Sequence, residues 1–344
     1  MFRTMSRHET LASTRFPTIT DAALADLKAR LGKPVRRPEP YIEVATRDAI
    51  RHWAHGIGDR NPYWSVAGVA PPTILFAMDR VVSGYVGGLP GIHAMYAGTD
   101  FRWQRPIGVD DRVVGESVLH ALVDKPSKFA KRAIQQIYRT TFTNQRGEAV
   151  CEADSWCFRT ERDTARERGK YKAEGPHRYS AADLAAIKRA YEVEEIRGAV
   201  PRYGSDVNVG DPVAEVVKGP LTVTSVVAFV QGWGSLYVRA HGLAFDLFDR
   251  HPALGIPNDF GVPEPPERVA WLGHLVTNWM GDAGFLRRLT VKVLRHNLIG
   301  DTTWCRGRVT GKTPDGAVTL EIDGINQRGE TIAAGTAEVV LPRR

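Results

Sequence analysis

Asp59 and Asn61, two apart in Gly58-Asp-Arg-Asn-Pro62, are the residues whose types and spacing most directly suggest chemistry. A carboxylate beside an amide can activate and orient a water molecule, with the carboxylate as proton acceptor. The same pair ahead of a proline also forms Asx turns, in which both side chains hydrogen-bond the local backbone. Four histidines are candidates for a proton-transfer partner: His55, His93, His241 and His274. His93 follows Gly-Leu-Pro-Gly91 at the start of a predicted strand, and His241 lies in Arg239-Ala-His-Gly242. These two are favoured, whereas His274 falls inside an apolar helical run and reads as a core histidine. Lys125, Lys128, Lys131 and Arg132 form a basic cluster that would suit phosphate groups or, more simply, a solvated hairpin tip. Arg287 and Arg288, at a strand start, carry the same two readings. The sequence has no Ser-His-Asp elbow, no phosphate-cradling glycine loop before a helix and no metal-binding histidine pair.

Those residues must be positioned by an internally repeated framework. The pentapeptide Asn-Gln-Arg-Gly-Glu occurs at Asn144–Glu148 and again at Asn326–Glu330. Its surroundings repeat as well. Alternating stretches at Phe101–Arg105 and Leu289–Val293 predict half-buried strands. A second strand follows each, Val113–Val123 and Thr303–Val309. The pentapeptide then reads as a hairpin turn, and a closing strand runs over Ala149–Phe158 and Thr331–Leu341. The first copy has an extra loop, Asp124–Arg132. Ahead of the strands lie two runs that are apolar around most of their circumference, Thr73–Tyr85 and Arg268–Met280, so they predict buried helices. Shorter helices precede these over Thr46–Ala54 and Thr224–Val230, with Thr46 and Thr224 as N-caps. Trp233, Trp271 and Trp279 read as core residues ahead of a pocket wall. Asp21–Leu31 predicts a short amphipathic helix, and Ser180-Ala-Ala-Asp183 a capping box that opens a helix to about Glu195.

Composition sets the class. The 344 residues are 43% hydrophobic and 25% charged, as in a globular protein of about two domains. The boundaries read as 1–160, a charged linker and helix over 161–210, and 211–344. Met1 to Pro17 lacks the apolar run of a secretory signal, and no stretch is apolar enough to span a bilayer, so the expected location is the cytoplasm. Cys151, Cys157 and Cys305 show no metal spacing and read as reduced core cysteines. The net charge of +7 suits a phosphate-bearing small molecule, and no nucleic-acid motif accompanies it.

Gly58-Asp-Arg-Asn-Pro62 resembles the signature Gly-Asp-x-Asn-Pro-x-His of the MaoC-like acyl-thioester hydratases and dehydratases. Ala70–Thr73, Val82–Gly91, His274–Asp282 and Gly300–Cys305 are similar to a subgroup with an N-terminal dehydratase-like domain. The resemblance implies an α+β double hot-dog, in which two antiparallel sheets each wrap a buried helix and one chain mimics a dimer. It implies reversible addition of water to an enoyl-coenzyme A, with Asp59 and Asn61 handling the water; His93 and His241 are the histidines favoured for the second proton-transfer role. Trp64, Pro72, Thr73, Lys128 and Arg287 are the residues expected around the substrate. Backbone N–H groups near Thr73 would bind the thioester oxygen. No cofactor or metal is expected beyond the acyl-coenzyme A or acyl-carrier thioester itself, and the expected assembly is a homo-oligomer or a hetero-oligomer with another hot-dog subunit.

Three departures bear on function. Trp64 stands where the signature has histidine, and indole is no general base. Gly232–Val238 in the second repeat lacks the signature. Only Tyr63–Ala70 separate Pro62 from the buried helix. A non-catalytic acyl-thioester-binding subunit is therefore the alternative, and a thioesterase a third.

Overall fold

The computed structural model describes residues 17–36, 39–84, 87–125, 132–161, 177–234, 265–314 and 316–344. Helix α1 (Asp21–Lys28) is capped by the Thr20 side chain, and α2 (Arg47–Gly56), as predicted, by that of Thr46. A single turn, α3 (Tyr63–Val66), precedes a 3-10 turn over Pro72–Ile74 and α4 (Leu75–Met78). Four strands follow: β1 (His93–Trp103), β2 (Val114–Lys125), β3 (Ala133–Thr143) and β4 (Ala149–Thr160). Helix α5 (Ala181–Glu192) opens on the predicted capping box of Ser180 and Asp183. The second repeat contains β5 (Pro212–Lys218), α6 (Val223–Trp233) and α7 (Pro265–Met280). It closes with β6 (Phe285–Val293), β7 (Thr303–Lys312), β8 (Ala317–Asn326) and β9 (Thr331–Val340).

The strands form one antiparallel sheet in the order β2-β3-β4-β1-β6-β9-β8-β7-β5. The order mirrors itself about the β1–β6 junction: β1-β4-β3-β2 on one side, β6-β9-β8-β7 on the other. The junction pairs Gly98 with Lys292 through to Arg102 with Arg288, so each repeat covers the other's open edge. The Asp100 carboxylate crosses it, accepting from Arg288 and from the Thr290 hydroxyl at 2.7–2.9 Å.

The repeated pentapeptide is a structural device. The Asn144 side-chain oxygen accepts from the N–H groups of Arg146 and Glu148, and Asn326 does the same for Arg328 and Glu330. Gly147 and Gly329 take φ of +75° and +74°, which glycine adopts without steric cost.

Two expectations need correction. The second small helix is capped by Thr222 rather than Thr224, because Thr222 forms a capping box with Ser225. The first buried helix does not run from Thr73 to Tyr85; it ends at Met78. Asp79 leaves the helical region, and its carboxylate accepts from the N–H groups of Val81 and Val82 at 2.7 and 3.0 Å. A local Asx-type turn thus wins over the apolar run. Tyr85 lies outside the described residues. Helix α7, in contrast, is a full buried helix of 16 residues.

Both repeats share one core. Trp53 of α2 packs on Phe229 of α6 with ring centroids 5.8 Å apart, and Phe76 on Phe101 at 5.1 Å. Gly232 lets α6 approach α2: a Cβ there would lie 2.7 Å from the His52 carbonyl oxygen. Trp233, Trp271 and Trp279 are core residues. Cys151, Cys157 and Cys305 are buried free thiols, and burial pushes those of Cys157 and Cys305 up to about 12.

Candidate active site

The motif loop begins where α2 stops. Gly58 ends the helix with φ +68°, and Asp59 N–H donates back to Ala54 O at 2.8 Å. Two Asx turns follow in series. Asp59 Oδ1 accepts from Asn61 N–H at 2.9 Å, and Asn61 Oδ1 accepts from Tyr63 N–H at 3.0 Å. Each side chain keeps its other polar atom for a distant partner. Trp64 Nε1 donates to Asp59 Oδ2 at 2.8 Å, and Asn61 Nδ2 donates to Asp282 Oδ1 at 2.9 Å. The turn geometry and a longer-range role thus coexist in the same residues.

Behind Asp59 lies a buried polar cluster drawn from four parts of the chain. His274 comes from α7, Lys218 from the end of β5, and Glu194 from the segment just after α5. The His274 Nε2 atom lies 3.6 Å from Asp59 Oδ1 and 3.4 Å from Glu194 Oε1. Its Nδ1 lies 2.7 Å from Lys218 Nζ. Lys218 Nζ also donates to the carbonyls of Ile57 and Gly58, at 2.7 and 3.3 Å. Asn278, one turn along from His274, donates to Glu194 at 3.0 Å. The side chains of His274, Asp59 and Glu194 are 0%, 1% and 2% exposed, so the cluster is sealed from bulk water. Burial lowers the Lys218 pKa, opposed by the nearby carboxylates. Burial also acts to raise that of Glu194, but His274, Lys218 and Asn278 outweigh it and hold the carboxyl below its ordinary range.

Gly273 explains how α7 reaches this place. A Cβ there would lie 2.9 Å from Thr73 Cγ2, so any larger residue would force Thr73 or the helix to shift. The connecting segment is pinned too: the Tyr191 hydroxyl donates to Gly219 O and accepts from Gly219 N–H, at 2.9 and 2.8 Å.

On the other side of Trp64 is a pocket of about 420 Å³. Its walls are largely apolar, with Trp64, Pro72, Trp103, Met280, Phe285 and Leu286 among them, and Asp282 supplies a carboxylate. Trp64 is therefore the partition between an apolar pocket and the polar cluster.

The structure brings together only some of the expected site residues. Asp59, Asn61 and Trp64 meet as described, and Pro72 lines the pocket. Thr73 is buried, its hydroxyl accepting from Trp53 Nε1 at 3.3 Å. Pro71 and Pro72 lack N–H groups, so the helix start has no backbone donor at those two positions. His93 opens β1 opposite Thr160, at the far end from the pocket-lining Trp103, roughly 30 Å of strand away. The imidazole beside Asp59 is instead that of His274. Arg287 is ion-paired with Glu338 on the neighbouring strand, and Arg288 with Asp100. Arg132 pairs with Asp21. His241, Lys128 and Lys131 lie outside the described residues. Lys218, Glu194 and Asp282 are additions that sequence reasoning missed. The available signals were a lysine closing the apolar run Val216-Val217 and a histidine within an apolar helix.

Residues 35–153 match the family model described as FAS1-like, dehydratase domain region. No curated protein matches the sequence. A solved MaoC-like dehydratase superposes with a TM-score of 0.65 at 17% identity, covering 92% of this chain and all of that one. A MaoC domain protein dehydratase of Chloroflexus aurantiacus J-10-fl gives 0.56 at 15%, over 92% of this chain and 96% of its own. The peroxisomal multifunctional enzyme type 2 of Drosophila melanogaster gives 0.52 at 12%, over 86% of this chain and 47% of its own. The chain thus has the double hot-dog fold of the MaoC-like dehydratases, and its first repeat matches a dehydratase domain. Among the described residues, no helix is long and apolar enough to cross a membrane.

Proposed function

We propose that this protein is an acyl-thioester hydratase/dehydratase that adds water reversibly to an enoyl-coenzyme A. The acyl group would sit in the apolar pocket, and Asp59 and His274 would be the proton-transferring pair. The observation that carries this reading is the approach of His274 Nε2 to 3.6 Å from Asp59 Oδ1. In hydration, Asp59 would accept a proton from water as the water oxygen bonds to the β-carbon. His274 would deliver a proton to the α-carbon. Asn61 would hold the loop and, through Asp282, the pocket wall. Reaction at this pair requires the Trp64 indole to yield its bond to Asp59.

The test is loss of enoyl-thioester absorbance across a panel of enoyl-coenzyme A chain lengths. Asp59→Asn and His274→Gln are each expected to lower turnover by about 100-fold or more. Full activity in either variant would remove that residue from the mechanism. A second reading, a non-catalytic acyl-thioester-binding subunit, is favoured by the Trp64–Asp59 bond, in which indole occupies one oxygen of the carboxylate. Its signature would be ligand-dependent thermal stabilisation with no turnover across the panel.

A further inference from the structure

We infer that Lys218 and Glu194 are positioning residues that keep His274 Nε2 protonated and held beside Asp59. This rests on the reading of Asp59 and His274 as the reacting pair. It also enlists a residue of the segment that joins the two repeats.

Lys218 Nζ has three acceptors in reach: Ile57 O, Gly58 O and His274 Nδ1. An ammonium has three hydrogens to match them, which leaves Nδ1 as acceptor and the ring proton on Nε2. If the shared proton moves onto the ring, the neutral amine still donates to both carbonyls and accepts from Nδ1–H. Nε2 keeps its proton in both arrangements. Nε2 then lies between two carboxylates, 3.4 Å from Glu194 and 3.6 Å from Asp59, with a hydrogen bond to neither in this resting geometry.

The titratable groups around the ring and its Lys218 partner are Lys218 from β5, Asp59 from the motif loop, Glu194 from the connecting segment, Glu267 from the first turn of α7 and Cys305 from β7. Arg60 touches Glu194 from the outside at 4.0 Å, and Asn278 donates to it from the ring's own helix. The arrangement makes proton delivery neutral at the ring. As Nε2 gives its proton to the α-carbon, the Lys218 proton passes to Nδ1, leaving a neutral amine and a neutral imidazole. No imidazolate forms, and no new charge is created in the sealed cluster.

The test is ¹⁵N NMR of the histidine rings in the full chain, with His274 assigned by its loss in His274→Gln. A protonated Nε2 at neutral pH is expected, and a bare Nε2 would overturn the inference. Lys218→Met is expected to raise the ring's protonation midpoint, since two carboxylates then face it without the ammonium. Glu194→Gln, nearly isosteric, is expected to lower it. Each shift should be about one pH unit or more. Unchanged midpoints, or shifts of the same sign, would overturn the inference, because a purely structural tie predicts no opposed pair. Should Lys218→Met fail to fold, the wild-type ring state and Glu194→Gln still decide. Absence of enoyl-coenzyme A turnover by the wild type would defeat the hydratase reading while the NMR titration judged the positioning separately.

Discussion

Trp64 decides how the pocket and the polar cluster communicate. Its indole N–H bonds Asp59 Oδ2, and its ring walls the pocket. Trp64→His places an imidazole where the family signature has one. On the hydratase reading this variant should raise turnover about tenfold or more in the enoyl absorbance assay, and an unchanged rate would show that the indole is no barrier. Trp64→Phe removes the donor and part of the buried ring, and loss of a hydrogen bond to a buried carboxylate together with that packing should cost about 2 kcal/mol or more in urea unfolding. Glu194 yields a pH prediction. Its carboxyl titrates below the ordinary value near 4.3. A depressed folded-state pKa stabilises the protein above the unfolded value, and that contribution is lost as pH falls through the folded value. Glu194→Gln should therefore flatten the acid side of the stability profile between about pH 4.3 and lower values, as measured by urea unfolding from pH 7 to 3.

The two copies of Asn-Gln-Arg-Gly-Glu form the same turn in different electrostatic surroundings. Arg328 grips Asp301 through two bonds at 2.8 and 2.9 Å, and the Asp301 side chain is 1% exposed. Arg146 lies 3.7 Å from Asp111 and is 57% exposed. Removing an arginine that grips a buried carboxylate at hydrogen-bond distance leaves much of that charge uncompensated, whereas a long contact from an exposed arginine contributes little. Arg328→Ala should thus destabilise by about 3 kcal/mol and Arg146→Ala by less than about 1 kcal/mol. Equal losses in denaturant melts would contradict that account. The unequal helices of the two repeats have a similarly local origin. Asp79 lies within a run that hydropathy alone extends to Tyr85, yet its carboxylate satisfies the next backbone N–H groups and the helix stops.

A nine-stranded sheet and a common core make the two repeats one structural body. Edge pairing at β1–β6 and the glycine contact of α6 with α2 both span the repeats. The expected behaviour is a single cooperative unfolding transition, with calorimetric and van't Hoff enthalpies that agree. Gly98 is the sensitive point of the junction. Its φ is +149°, and a Cβ there would come within 2.3 Å of both Val291 O and the Trp156 ring. Gly98→Ala should lower the melting temperature by several degrees. Two resolved transitions in the wild type would instead mean that the repeats unfold separately.

Features that depend on short-range pattern are legible along the chain. Alternation marked the paired strands, the duplicated pentapeptide marked the repeat, and Thr46 and Ser180 marked helix starts. Asp59 and Asn61 stood out because their signature is contiguous. The tertiary structure decided which imidazole meets Asp59. His274 lies more than two hundred residues away, in a helix whose composition says only that it is buried. Its approach depends on Gly273 seating α7 against Thr73, on Lys218 tying the end of β5 to the motif loop, and on Tyr191 pinning the segment that carries Glu194. None of these contacts leaves a periodic trace along the chain, because each is set by how distant elements cross.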